Sequence, residues 1–229
     1  MSAPPRTIYD EVPYPSAQHP DLPPAAIAAV ARLCGLSPRL RGWRVLEIGC
    51  GEGVNLMGMA QGAPDGQYVG IDLAPTAIAA AEATARAAGL DNVCFEVCDL
   101  TQAQGRFGRF DYVVSHGVLA WTPEPVRRAL MALMAASLDA DGLGVVTYNV
   151  APGCRLREAL RDALLIAAAR EASPPRRLEI ARRRLAELAE IWNVDDPYRQ
   201  ALRKEAMAQL ATPGEVLFHD EMGEVYAPP

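Results

Sequence analysis

The sequence contains no run of about 18 apolar residues, the least a membrane-spanning helix needs, and its first residues lack the basic-then-apolar pattern of a secretory leader. A soluble, cytoplasmic chain with no membrane partner is therefore expected. A basic tract is missing too. The formal net charge is −6 over 229 residues, so the footprint that duplex DNA or RNA demands is absent and nucleic acid is not expected as a partner. The five cysteines, Cys34, Cys50, Cys94, Cys98 and Cys154, show neither the repeated C-x-x-C of a metal site nor the density of a disulfide-stapled domain. They read as reduced core thiols, and no metal is expected. The dinucleotide fingerprint G-x-G-x-x-G is also lacking, because Val54 and Leu56 stand where its last glycine would fall. That opposes a nicotinamide or flavin oxidoreductase.

What is present centres on residues 44–55. Val45, Leu46 and Ile48 form a short apolar run of the kind buried on both faces of a parallel sheet. The run breaks into Gly49, Gly51 and Gly53, and residues 54–60 that follow suit a helix. Glycines at alternate positions let the backbone bend sharply and let a ligand lie directly against it. Strand, glycine turn and helix make the front half of a nucleotide-binding βαβ unit, whose ligand sits at the strand's carboxyl end. Glu47 is unwelcome beside a pyrophosphate and suits the turn's own amides or a cationic ligand. Two more strands end in an acid, Tyr68-Val-Gly-Ile-Asp72 and Phe95-Glu-Val-Cys-Asp99. Each acid is either a strand-end cap or a ligand contact.

Glu47-Ile-Gly-Cys-Gly-Glu-Gly53 resembles the first motif of class I S-adenosylmethionine-dependent methyltransferases, and the acids at 72 and 99 extend the likeness in order and spacing. The resemblance implies a Rossmann-like α/β fold, a mainly parallel sheet sandwiched by helices, with S-adenosyl-L-methionine as cofactor. It assigns the turn of Glu47, Gly49, Cys50 and Gly51 to the methionine end, Asp72 to the ribose and Asp99 to the adenine, with Asn55, Leu73 and Leu100 as further cofactor contacts. Cys50 is otherwise a small residue filling a tight loop.

Other stretches resemble the subgroup that carries a methyltransferase regulatory domain, some members of which are protein lysine methyltransferases. Tyr9-Asp-Glu-Val-Pro-Tyr14 is similar to its opening, in a proline- and aromatic-rich segment that also holds His19. The likeness implies a cofactor-covering segment over residues 1–24, with Tyr9 or Tyr14 on the sulfonium or adenine; composition alone reads a loose surface tail. His116-Gly-Val-Leu-Ala-Trp121 follows a fourth strand over residues 110–115, and Tyr148-Asn149-Val-Ala-Pro-Gly153 closes a fifth over residues 144–149. His116 is a general base, a cofactor or substrate contact, or a structural histidine; Tyr148 and Tyr14 are further candidates for removing a proton. Asn149 orients the nucleophile or forms a turn.

The core is thus expected over residues 25–153, and residues 154–229 form a helical lid and tail. Five arginines between 176 and 184 interleave with Glu179, Glu187 and Glu190, the pattern of a solvated helix face rather than a nucleic-acid patch. The usual last antiparallel strand pair has no obvious sequence. Either short strands at 216–218 and 224–226 replace it, or a homodimer or other partner covers the edge. Direct displacement at a sulfonium needs no protein nucleophile, in keeping with the absence of a nucleophile and base pair. The expected function is methyl transfer to a protein side chain or small molecule. A non-catalytic cofactor-binding partner is the alternative.

Overall fold

The short β-rich runs and alanine-rich stretches alternate along the chain, and the structure, a computed structural model, turns that alternation into a doubly wound sheet. It describes Ile8 and residues 12–103, 105–223 and 225–226. The chain divides into two units, Met1–Tyr148 and Asn149–Pro229.

In the first unit, helix α1 (Pro24–Leu33) precedes β1 (Arg44–Ile48), α2 (Val54–Gly62), β2 (Gln67–Asp72), α3 (Pro75–Ala87), β3 (Val93–Val97), β4 (Phe110–Ser115), α4 (Glu124–Ser137) and β5 (Leu138–Val146). Prolines open α1, α3 and α4 within the first turn, where the missing N–H costs nothing. The strands lie in the order β3-β2-β1-β4-β5, every pair parallel. The order reverses between β1 and β4, so the ligand crevice falls at their carboxyl ends.

Period-two alternation sorts β1 between two layers. Val45 packs with α1, α2 and α3 side chains such as Ala28, Leu56 and Ile78, while Leu46 and Ile48 face Leu130, Leu133 and Met134 of α4. Leu46 and Ile48 are fully buried, each stabilising the fold by roughly 1.5–3 kcal/mol. Glu47 shares the parity of Val45 and so faces α2.

The fifth strand begins earlier than residue 144 and ends at Val146. Residues 139–142 are absorbed as an irregularity in pairing, Phe110 matching Leu138 and Tyr112 matching Leu143. The hydrogen bond from the Thr147 amide to the Ser115 carbonyl (3.1 Å) carries the pairing one residue past the strand. Two of the five thiols depart from the core reading, because Cys34 and Cys94 are exposed; all five are free.

The second unit is helical: α5 (Arg155–Ala167), α6 (Pro174–Ile191), α7 (Pro197–Ala211) and α8 (Gly214–Met222). The stripe of Ala181, Leu185, Leu188 and Ala189 is buried on α6. The arginines of α6 do local work. Arg182 donates to the carbonyls of Leu210 and Thr212 at the end of α7, Arg177 to that of Met222, and Arg184 pairs with Glu187. The substitute strand at 216–218 does not form. Leu217, Phe218, Glu221 and Met222 are all buried, and their i, i+1, i+4, i+5 spacing is a helix face starting just after Pro213. Val225 and Tyr226 are outside any strand, so β5 is an edge among the described residues.

Candidate active site

The glycine turn is built by main-chain necessity. Gly49, Gly51 and Gly53 have φ of 77°, 53° and 71°, the left-handed region that a side chain makes costly. A β-carbon at Gly49 would come within 2.3 Å of Val118, and one at Gly53 within 2.4 Å of the Phe95 ring. Gly51 differs. Only Ser16 Oγ, at 3.1 Å, lies close to its β-carbon position. Two glycines therefore serve packing and the middle one presents bare backbone.

Asp72, at the tip of β2, ties the turn down: its Oδ2 accepts from the Gly51 amide and its Oδ1 from the Ala74 amide, both at 2.9 Å. Leu73 beside it is 46% exposed, an apolar surface at the crevice. Asp99 follows the capping alternative in its contacts. It accepts from the amide and hydroxyl of Thr101 at 2.9 and 2.7 Å and caps the short 3-10 turn Leu100–Gln102, with Leu100 half-buried.

Glu47 is 4% exposed. Its Oε1 accepts from Asn55 Nδ2 at 2.7 Å, and its Oε2 has no hydrogen-bond partner among the described residues. Burial pushes this carboxyl up to about 7; the Asn55 bond pulls it down, the charge of Asp72 pushes it up, and the Leu56 amide lowers it slightly. A buried acceptor left unpaired costs roughly 1–3 kcal/mol, so this atom calls for a donor. Cys50, buried in the same turn, has its thiol pushed up by burial and then by Asp72 and Glu47, and it is no nucleophile.

The proline-rich segment is laced onto this machinery. Ser16 Oγ accepts from the Glu52 amide at 3.2 Å, and the His19 amide donates to Asn55 Oδ1 at 3.0 Å. Asn55 thereby bridges the segment to Glu47. The His19 ring stacks on His116 with centroids 3.7 Å apart. His116 is exposed at the tip of β4, and its pKa is pushed below 6.5 by partial desolvation and then by the His19 ring. The amide of Gly117 donates to Thr147 Oγ1 at 3.1 Å, which joins the loop bearing His116 to the loop bearing the exposed Tyr148.

The structure thus brings Glu47, Gly49, Cys50, Gly51, Asn55 and Asp72 together and sets His116 at the same end of the sheet. Tyr14 is exposed, and Tyr9 lies outside the described residues. Asn149 belongs to the helical unit and donates to Tyr226 Oη at 3.2 Å. Ser16 and Thr147 were not foreseen, and His19 stood only as one member of a proline-rich stretch. Their roles arise from contacts 30 or more residues apart in the chain, which leave no local pattern.

A family model described as a methyltransferase domain matches residues 45–142. Among solved structures, PKMT2 from Rickettsia typhi in complex with AdoHcy superposes with a TM-score of 0.85 at 29% identity, covering 94% of this chain and 42% of that one. Residues 45–142 are thus matched as a methyltransferase domain, and the fold is that of the class I S-adenosylmethionine-dependent methyltransferases. Two Rickettsia prowazekii proteins are similar along its length: RP789 is 31% identical over 94% of this chain and 39% of its own, and RP028 is 29% identical over 95% and 88%. The chain therefore spans about two fifths of the length of RP789 and of the PKMT2 chain.

The residues present fit the cofactor of class I methyltransferases. The unpaired Glu47 oxygen suits an ammonium, the bare Gly51 backbone a closely approaching chain, and Asp72 with Leu73 a hydroxylated, partly apolar body.

Proposed function

We propose that the protein transfers a methyl group from S-adenosyl-L-methionine to a nucleophile on a protein side chain or small molecule. The observation that carries this reading is the buried Glu47 oxygen without a partner, set beneath a turn whose middle glycine offers only backbone. Glu47 and Asn55 receive the ammonium end, Asp72 and Leu73 the ribose, Asp99 and Leu100 the adenine. Tyr9 and Tyr14 belong to the covering segment. The cofactor supplies a methyl group already activated on sulfur. The protein's share is to hold the acceptor in line, exclude water and take a proton from an amine or hydroxyl. His116, kept neutral at physiological pH, is the proton acceptor, with Tyr148 and Tyr14 in reserve.

The net charge of −6 favours a cationic, amine-bearing acceptor, and the helical unit is assigned to its recognition. The location is read as cytoplasmic; among the described residues no helix is long and apolar enough to cross a membrane. The open edge of β5 favours a homodimer or another chain covering it.

Calorimetry with S-adenosylhomocysteine and NAD tests the ligand: binding of NAD alone overturns the proposal. Transfer of a labelled methyl group into protein and metabolite mixtures then separates catalysis from a non-catalytic binding role. Cofactor binding without transfer to any fraction establishes the latter.

A further inference from the structure

The helical unit contains a second polar site, unrelated to the glycine turn. A cavity of about 280 Å³ opens where α5, α7 and α8 meet. From α7 and its C-terminal cap, Glu205, Ala208, Gln209 and Thr212 face it at i, i+3, i+4 and i+7, and from α8 Asp220 and Glu221 do so one turn after Val216 and Leu217. Arg157 of α5 completes the wall, donating to Asp220 at 3.0 Å and to Glu221.

Two atoms in this wall are anomalous. Among the described residues, Glu221 Oε2 and Gln209 Oε1 are buried without a hydrogen-bond partner, in residues only 1% and 5% exposed, on two helices that line the cavity. Both are acceptors. The Gln209 amide is oriented by its NH2 group, which donates to Glu205 at 3.4 Å, so turning it over would set oxygen against a carboxylate. Charge points the same way. Three carboxylates line the cavity against the single guanidinium of Arg157. The neighbouring Arg161 does not line the cavity: it donates to the carbonyls of Asp220 and Gly223 and lies over the Tyr226 ring, though its charge still reaches Glu221. Burial pushes the Glu221 carboxyl up to about 7; the charge and hydrogen bond of Arg157 oppose it, Asp220 adds to it, and Arg161 opposes it in turn.

We propose that this cavity binds a primary alkylammonium group, with the ammonium donating to Glu221 Oε2 and Gln209 Oε1 and its methylene stem lying along Ala208, Val216 and Leu217. Three N–H donors on one compact head match two orphaned acceptors and a carboxylate. The volume falls below the roughly 300–1,000 Å³ of small-molecule sites and suits one extended chain, not a nucleotide. The same chemistry is offered by a lysine side chain of a polypeptide and by a free diamine.

The test is isothermal titration of the full chain, without cofactor, using a capped Ala-Lys-Ala peptide, its ε-acetylated form and cadaverine. The unmodified peptide is expected to bind and the acetylated one not. Glu205→Gln and Gln209→Met should each weaken binding at least tenfold while leaving the melting temperature and S-adenosylhomocysteine affinity unchanged. Binding by cadaverine as well extends the site to free amines; its failure assigns the site to polypeptide lysine. No heat with either amine means that water satisfies the two acceptors and overturns the proposal, as does binding unaffected by both substitutions. None of these outcomes bears on the methyl-transfer reading, whose cofactor titration is separate.

Discussion

At the scale of single residues, two separate buried acids, Glu47 and Glu221, shape the response to pH. Glu47 and Glu221 both titrate near 7 in the folded chain against 4.5 ordinarily. A raised acid means that the native state holds protons the unfolded chain has released, so their contribution is most favourable below 4.5, falls as pH rises to about 7, and is flat beyond. For a fully buried group a shift of this size corresponds to about 3 kcal/mol. Denaturant titrations from pH 4.5 to 7.5 should show the decline, and Glu47→Gln should flatten part of it; an unchanged slope assigns the dependence elsewhere. An ammonium placed on Glu47 would stabilise its carboxylate. Binding of S-adenosylhomocysteine at pH 6 should therefore expel a proton, read as a calorimetric enthalpy that follows the buffer's ionisation enthalpy, and Glu47→Gln should lose that dependence. Asp72→Ala orphans the amides of Gly51 and Ala74 besides removing the proposed ribose contact, so it should cost about 1–3 kcal/mol in stability as well as weaken binding. His116→Ala should spare cofactor binding and lower turnover by about 10²–10⁴. In His19→Ala the acid limb of the rate profile should move up toward 6.5 as the neighbouring ring is removed; a limb that stays put makes the stack structural only.

At the scale of elements, the strand–glycine–helix nucleus was fully legible, because Val45, Leu46 and Ile48 can only be an interior strand and three left-handed glycines can only be a turn. The acids at 72 and 99 could be placed at strand tips, but not their partners, since backbone amides two residues away compete for the same oxygens as a ligand. The tail misled. Val216-Leu-Phe carries β-compatible side chains, and only the burial of Glu221 and Met222 one turn later reveals a helix. Least legible was the anchoring of the proline-rich segment, where Ser16 accepts from the Glu52 amide, the His19 amide donates to Asn55, each 36 positions away, and the His19 ring stacks on His116. Deleting the chain before residue 15 tests the tyrosines alone. Deleting it before residue 20 also removes Ser16 and His19, and should weaken S-adenosylhomocysteine binding further. Equal affinities for the two truncations would reduce the segment to a passive tail.

At the scale of the whole molecule, the two units differ in what stabilises them. The first rests on a sheet between two apolar layers; the second closes its helix ends with arginine donors and encloses a charged cavity. High salt should accordingly weaken the second more than the first, with near-ultraviolet signals of Trp43 and Trp192 reporting the two separately. Equal salt effects on both tryptophans would contradict this. The Thr147 amide points at β4, and strand alternation then turns the amides of Gly144 and Val146 outward. In dilute solution those two should trade hydrogen for deuterium within seconds while Val145 resists. Slowing at just those two positions on concentration would reveal that another chain has docked there, before anyone knows which.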